Sequence, residues 1–177
     1  MRDQILRGRV WALAWADGRL IEDIDTDQIF HNAHLHITET AQMGAYALGN
    51  LEGWKDFPQK AKPGDILMAG RNFGAGSSRQ QAVDCFLALG VAAIVAPSFS
   101  AIYFRNAVNA GFPVLRSEGL ERSAAEGLLR SGDEIEIDLS SGLGRNVTRN
   151  ESISLEPMSA VQREIYEAGN VFRLKRS

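Results

Sequence analysis

Apolar and polar positions along the chain change period several times, and each change predicts an element. Residues 8–14 (GRVWALA) form a nearly continuous apolar run, the pattern of a buried strand. A polar, acidic turn region follows at 17–30 (DGRLIEDIDTDQIF), ending in two apolar residues. Residues 39–54 (ETAQMGAYALGNLEGW) predict a helix with Thr38 or Thr40 as its cap, and 63–70 (PGDILMAG) a turn and a short strand. From there the pattern is regular. Residues 79–90 place Val83, Phe86 and Leu87 at helical spacing and stop at Gly90. Residues 91–97 (VAAIVAP) are continuously apolar, as in a strand covered on both faces. Residues 98–111 predict a helix capped by Ser98 and ended by Gly111. A short strand (112–116), a third helix (117–132), an alternating strand (133–142), a second alternating strand (151–157) and a closing helix (158–169) complete the chain. The middle therefore reads strand–loop–helix–strand–helix–strand, the signature of a parallel α/β layer, and the ends add strands with one wet face. The expectation is one α/β domain over residues 1–177, with helices packed on a mixed sheet.

Composition narrows the classes. With 45% hydrophobic and 23% charged residues the chain can bury a core without staples. A net charge of -3 leaves no nucleic-acid footprint, and the basic stretch at 173–177 (RLKRS) reads as a solvated end. The single cysteine, Cys85, can form no internal disulfide, nor hold zinc or an iron–sulfur cluster alone. No run approaches the ~20 apolar residues that span a bilayer. The apolar stretch near the start is cut off by Asp17 and Arg19, so it is too short for a signal peptide. These features predict a cytoplasmic protein without membrane or nucleic-acid partners.

The candidate chemistry lies at residues 70–82, GRNFGAGSSRQQA. A glycine-rich loop between a strand end and a helix start is a place where α/β folds bind ligands. Glycines let the backbone approach a ligand, and the first N–H groups of a helix attract an anion. Ser77, Ser78 and Arg79 add two hydroxyls and a planar cation suited to a carboxylate. The same composition also suits a plain turn with a serine helix cap, so both readings stand at this level. The spacing of Gly70, Gly74 and Gly76 fits neither a Walker A loop nor the dinucleotide fingerprint. A second cluster, His31, His34 and His36, admits a substrate loop, a metal site or a solvated loop.

The loop resembles the G-x-N-F-G-C-G-S-S-R-E-H-A motif of the small subunits of 3-isopropylmalate dehydratase and their homoaconitase relatives, the swivelling domain of the aconitase superfamily. Residues 23–29 (DIDTDQI), 63–70, 91–115 (VAAIVAPSFSAIYFRNAVNAGFPVL), 131–139 and 164–176 are similar to further pieces of that family, in order. The resemblance implies a swivelling β/β/α domain. It also implies a hydro-lyase that moves a hydroxyl between adjacent carbons of a small hydroxy acid. A [4Fe-4S] cluster would sit on a separate large subunit, with no cofactor or metal on this chain. The family's catalytic serine falls on Ser77. Arg79 falls on the arginine that grips a substrate carboxylate and helps stabilise the serine alkoxide. Asp27 falls on the aspartate of the TD-x-I motif that lines the site. Asn72, Gly76 and Ser78 fall around the substrate. His34, Leu35, His36 and Ile37 fall on the substrate-discriminating loop, with His36 where homoaconitase-type members have arginine. Leu35 and Ile37 there favour an apolar substituent.

This chain departs from the motif at Ala75 (cysteine in the family), Gln80 and Gln81 (Glu-His) and Ala101 (arginine). The leading expectation is the small subunit of a 3-isopropylmalate dehydratase, in leucine biosynthesis. The alternatives are a subunit for another alkylmalate or a homocitrate- or citrate-like acid, and a binding module of this fold that has lost catalysis.

Overall fold

The short apolar runs become the parallel half of a seven-stranded sheet, in a computed structural model that describes residues 2–174. Lys175, Arg176 and Ser177 of the basic tail lie outside the described residues. Strand β1 (Ile5–Ala12) pairs parallel to β2 (Ile66–Met68), with Val10 opposite Ile66. Strands β3 (Ala93–Ala96) and β4 (Val114–Arg116) continue the parallel ladder outward. On the other side of β1 the sheet turns antiparallel through β5 (Glu134–Asp138), β6 (Leu143–Asn146) and β7 (Glu151–Ser154). The spatial order is β4-β3-β2-β1-β5-β6-β7.

Seven α-helices surround the sheet among the described residues: α1 (Thr26–Ile29), α2 (Thr40–Met43), α3 (Phe57–Lys60), α4 (Gln81–Ala88), α5 (Ala101–Asn109), α6 (Leu120–Ala125) and α7 (Ala160–Ala168). They explain why β2 and β3 carry no polar face. Leu67 and Ile94 point into one core, with Phe30, Phe73 and Phe86, while Ile66, Met68 and Val95 point into a second, with Leu120, Ile135 and Ile137. Strand β5 has one covered face, so Ile135 and Ile137 are buried and Glu134 and Glu136 exposed, as its alternation predicts.

Three expectations change, and one strand is added. The helix predicted over 39–54 breaks into α2 and a 3-10 turn, Gly44–Tyr46. Gly44 is packed so tightly on Leu89 and Ala88 that a Cβ would lie 3.1 Å from Leu89, and Leu48 takes a left-handed backbone at φ 58°. Helix 117–132 shrinks to α6, which Gly127 (φ 72°) follows closely. Strand β6 has no apolar signature and forms because its neighbours offer two open ladders. The α5 cap is Ser100, whose hydroxyl accepts from Tyr103 N–H, while Ser98 serves elsewhere. The closing helix follows its sequence signals: Ser159 and Gln162 form a capping box, and Gly169 (φ 97°) ends it. No helix among the described residues is long and apolar enough to cross a membrane.

Candidate active site

The loops that follow β2 and β3 leave the carboxyl ends of parallel strands, where side chains from distant segments converge. The glycines explain how the first of these loops is threaded. Gly70 N donates to Ile21 O, and a Cβ at Gly70 would lie 2.7 Å from that oxygen. Gly74 is left-handed (φ 80°) and seats its α-carbon on Tyr103, whose ring would lie 2.2 Å from an added Cβ. Gly74 N donates to Ile24 O and Thr26 N to Ala75 O, so the loop pairs with the segment leading into α1. Thr26 completes the seam by donating its hydroxyl to Ser77 O at 2.9 Å. The loop therefore has a fixed course before its polar residues begin.

Those polar residues are not used to cap a helix. The residue before α4 is Gln80, and it makes no side-chain cap hydrogen bond. Ser78 Oγ accepts from Asn106 Nδ2 on α5 at 3.1 Å, and Ser77 is exposed with no partner for its hydroxyl among the described residues. The backbone N–H groups of Gly76, Ser77, Ser78, Arg79 and Gln80 also make no hydrogen bond among the described residues. Five consecutive donors and a free hydroxyl thus lie side by side at a helix start, an arrangement that suits an anion. An exposed turn before a helix also leaves its N–H groups to water, and the part-buried Arg79 is what sets this loop apart from one.

Arg79 is the least exposed member of the group, with 15% of its side chain accessible. Its Nη1 donates to Asp27 Oδ1 at 2.8 Å and to Phe30 O at 3.1 Å, and its Nε and Nη2 make no hydrogen bond among the described residues. Asp27 stands on α1, whose start is set by a capping box between Asp25 and Gln28. The hydrogen bond from Arg79 holds the Asp27 carboxyl below the usual carboxylate range, against the opposing effect of burial, with help from Asn32 N–H and His31. Ser77, Arg79 and Asp27 are thus brought to one place from segments some fifty positions apart.

The other site candidates divide. Gly76 (φ 89°) is exposed at the turn before Ser77. Asn72 is a clasp: left-handed at φ 55°, it donates Nδ2 to Asp23 Oδ1 at 2.9 Å and its N–H to Ser98 Oγ. In the histidine loop His34 stacks on Tyr46 with ring centroids 4.1 Å apart, and His36 is exposed with Nδ1 3.1 Å from Ala33 O. Leu35 is exposed but Ile37 is buried in the core, so the two do not share a face and Ile37 adds no apolar surface to the loop. His31 Nε2 lies 3.9 Å from Asp27 Oδ2, which joins this loop to the Arg79 pair. Gln80 turns down its helix to Asp84, donating at 2.9 Å. Three contributors carried no sequence signal of their role: Asn50, which donates to Asp27 Oδ2, Asn106 on Ser78, and Ser98 on Asn72. Thr26 sits inside a motif that was legible.

Cys85 is fully buried, donates weakly to Ala82 O and has its thiol pushed up by burial, and among the described residues no three His, Cys, Asp or Glu side chains could hold a metal ion.

Residues 20–118 match the model of the aconitase C-terminal domain. The chain is 41% identical over 169 residues to the 3-isopropylmalate dehydratase small subunit of Pyrobaculum calidifontis, covering 96% of each. It is 34% identical to the isopropylmalate/citramalate isomerase small subunit of Methanocaldococcus jannaschii, over 94% of this chain and 91% of that one. Among solved structures, a 3-isopropylmalate dehydratase crystal structure from M. jannaschii superimposes with a TM-score of 0.81 at 31% identity, over 96% of this chain and 92% of the other. Matches of this depth run through both halves of the sheet as well as the loop, and the chain belongs to the aconitase C-terminal domain family and, within it, to the small subunits of 3-isopropylmalate dehydratase.

Proposed function

We propose that the chain is the small subunit of a two-subunit hydro-lyase that isomerises a substituted malate, 3-isopropylmalate in the first place, in cytoplasmic leucine biosynthesis. The whole chain acts as one swivelling unit that closes over a cluster-bearing large subunit. The observation that carries this reading is the row of free donors from Gly76 to Gln80 beside the free edge of Arg79. A substrate carboxylate fits that edge, and Ser77 then stands next to the carbon whose proton must leave. A serine hydroxyl is a very weak acid, so forming the alkoxide that takes the proton requires that the alkoxide be stabilised. The neighbouring N–H groups and the guanidinium supply that stabilisation once the partner excludes water. Asp27 keeps Arg79 in place and neutralises part of its charge in the free chain. The cluster chemistry at the hydroxyl is assigned to the partner, in keeping with a chain whose one cysteine is buried.

A second reading has its own support. With Ile37 turned into the core, Leu35 is the one apolar side chain that the loop segment 34–37 exposes, which suits a smaller alkyl substituent than isopropyl. One relative is named for both isopropylmalate and citramalate. The test is anaerobic co-purification with the large subunit, followed by assay on a panel of alkylmalates and tricarboxylates. Turnover of alkylmalates is expected, and Ser77→Ala is expected to lower it by about a thousandfold or more with an unchanged Tm. A wild-type complex inert on every hydroxy acid, or an active Ser77→Ala complex, would overturn the reading.

A further inference from the structure

The two oxygens of Asp27 have separate partners. Oδ1 accepts from Arg79 Nη1 at 2.8 Å and from Asn32 N–H at 3.0 Å. Oδ2 accepts from Asn50 Nδ2 at 3.1 Å, and the His31 ring lies beyond it at 3.9 Å. His31 Nδ1 accepts from Ala33 N–H, so the ring proton of the neutral form sits on Nε2, toward Asp27. Without Asn50 the outer oxygen would keep only this long contact.

Asn50 is exposed, yet its backbone is held firmly. It lies between Leu48 and Leu51, both buried, in a turn closed by Leu51 N–H on Leu48 O at 3.0 Å. Leu48 N–H donates to Ile29 O at 2.8 Å, which ties the turn to the end of α1, the helix that carries Asp27. Leu48 is left-handed at φ 58°, a conformation that a bulky side chain rarely takes. Such strain persists only where the surroundings over-determine it, and it gathers at functional sites. Here it lies two residues before the asparagine whose side chain meets Asp27.

We propose that Asn50 is a positioning residue for the active site: its amide holds Asp27 Oδ2, which keeps Oδ1 on Arg79 and the free edge of the guanidinium beside Ser77. This rests on the reading of Arg79 as the carboxylate grip. The amide matters here as a donor, and an isosteric carboxylate would turn it into a repelling acceptor.

The test compares Asn50→Ala, Asn50→Asp and Asn50→Gln in the complex with the large subunit, alongside Ser77→Ala. Asn50→Ala is expected to lower kcat/KM about tenfold, through small displacement of the pair. Asn50→Asp is expected to lower it further despite its matching shape, and Asn50→Gln to recover most of it. A merely structural side chain would rank Asn50→Asp nearest the wild type. If Ser77→Ala loses turnover while all three Asn50 variants match the wild type, this inference falls and the functional reading stands. A second measurement decides Asn50 even if the functional reading fails. In the isolated chain the NMR signal of Arg79 Nε–H should shift or broaden in Asn50→Ala and Asn50→Asp and stay in place in Asn50→Gln. Identical Arg79 signals in all four proteins would overturn the proposal.

Discussion

Two arginine–aspartate pairs, one in the parallel half of the molecule and one in the antiparallel half, show what separates a structural ion pair from a functional one. In the antiparallel half, Arg149 Nε donates to Asp133 Oδ2 at 2.7 Å, and the carboxylate is the inner partner, 4% exposed against 33% for the arginine. Asn146 Nδ2 and Arg130 N–H donate to the same carboxylate. Burial pushes the Asp133 carboxyl up, and these donors outweigh it and hold it below its ordinary range. At the loop the order is reversed. Arg79 is inside at 15% and Asp27 outside at 37%, although each arginine commits one nitrogen of three. A buried carboxylate that gathers three donors on Oδ2 closes a turn and is out of a ligand's reach. A part-buried guanidinium with an unused edge has already lost much of its water and can exchange that loss for a ligand's carboxylate.

The strongest way to break this comparison is the same substitution at both arginines. Arg79→Lys keeps the charge and loses the planar fork, so kcat/KM should fall by about a hundredfold with little change in Tm. Arg149→Lys should do the opposite: leave kcat/KM unchanged and lower stability by about 1 kcal/mol, or roughly 2–4 °C in Tm for a chain of this size. Steady-state kinetics of the complex and thermal melts of the isolated chain check both. If both variants move the same readout, the pairs are of one kind and the distinction fails.

The parts of the molecule legible in the sequence are those where one local pattern decides the outcome. Ile66–Met68 and Ala93–Ala96 are apolar throughout because both faces of the parallel sheet are covered, so the runs could be read directly. The loop at 70–82 could be read because its glycines are demanded by left-handed backbone and close contacts. Strand β6 could not, since Leu143 and Arg145 are exposed and only neighbouring ladders make the segment extended. The helix over 39–54 failed at Gly44 and Leu48, where tertiary packing overrides local propensity. Ile37 was misread because apolar character alone does not say which way a loop residue turns. Asn50 and Asn106 reach the site across 23 and 28 positions, a proximity that only the fold creates.

The histidine loop sharpens the comparison from the ligand's side. His36 is exposed and its ring is held by Ala33 O, beside a loop joined to Asp27 through His31. If the substrate's variable group lies here, His36→Arg should move the kcat/KM ratio by about tenfold or more toward an acid with an extra carboxylate. The same change should penalise an alkylmalate, because an unpaired guanidinium would lie against its apolar group. The measurement is that ratio, for wild type and variant, with the large subunit present. A ratio that does not move assigns specificity to the partner alone.

The smallest expected effect tests whether exposure or the donors that hold a carboxylate mark the functional pair. Asp138, at the β5–β6 turn, is only partly buried, yet its Oδ1 accepts from Ser140 Oγ at 2.6 Å, Ser140 N–H at 2.8 Å and Ser141 N–H at 3.3 Å. The Ser140 hydroxyl and N–H hold this carboxyl down to about 2. A carboxyl lowered in the folded state contributes stability that is complete above its unfolded value, about 4, and is lost as pH falls through the folded value. The Tm of the isolated chain should therefore decline between roughly pH 4 and pH 2, and Asp138→Asn should flatten part of that decline while leaving kcat/KM at neutral pH unchanged. A wild-type acid slope in the variant would show that the serines do not tie this carboxylate. A loss of activity would show that a carboxylate tied by its own turn still serves the reaction, and would remove such local donors as the criterion that sets Asp27 and Arg79 apart.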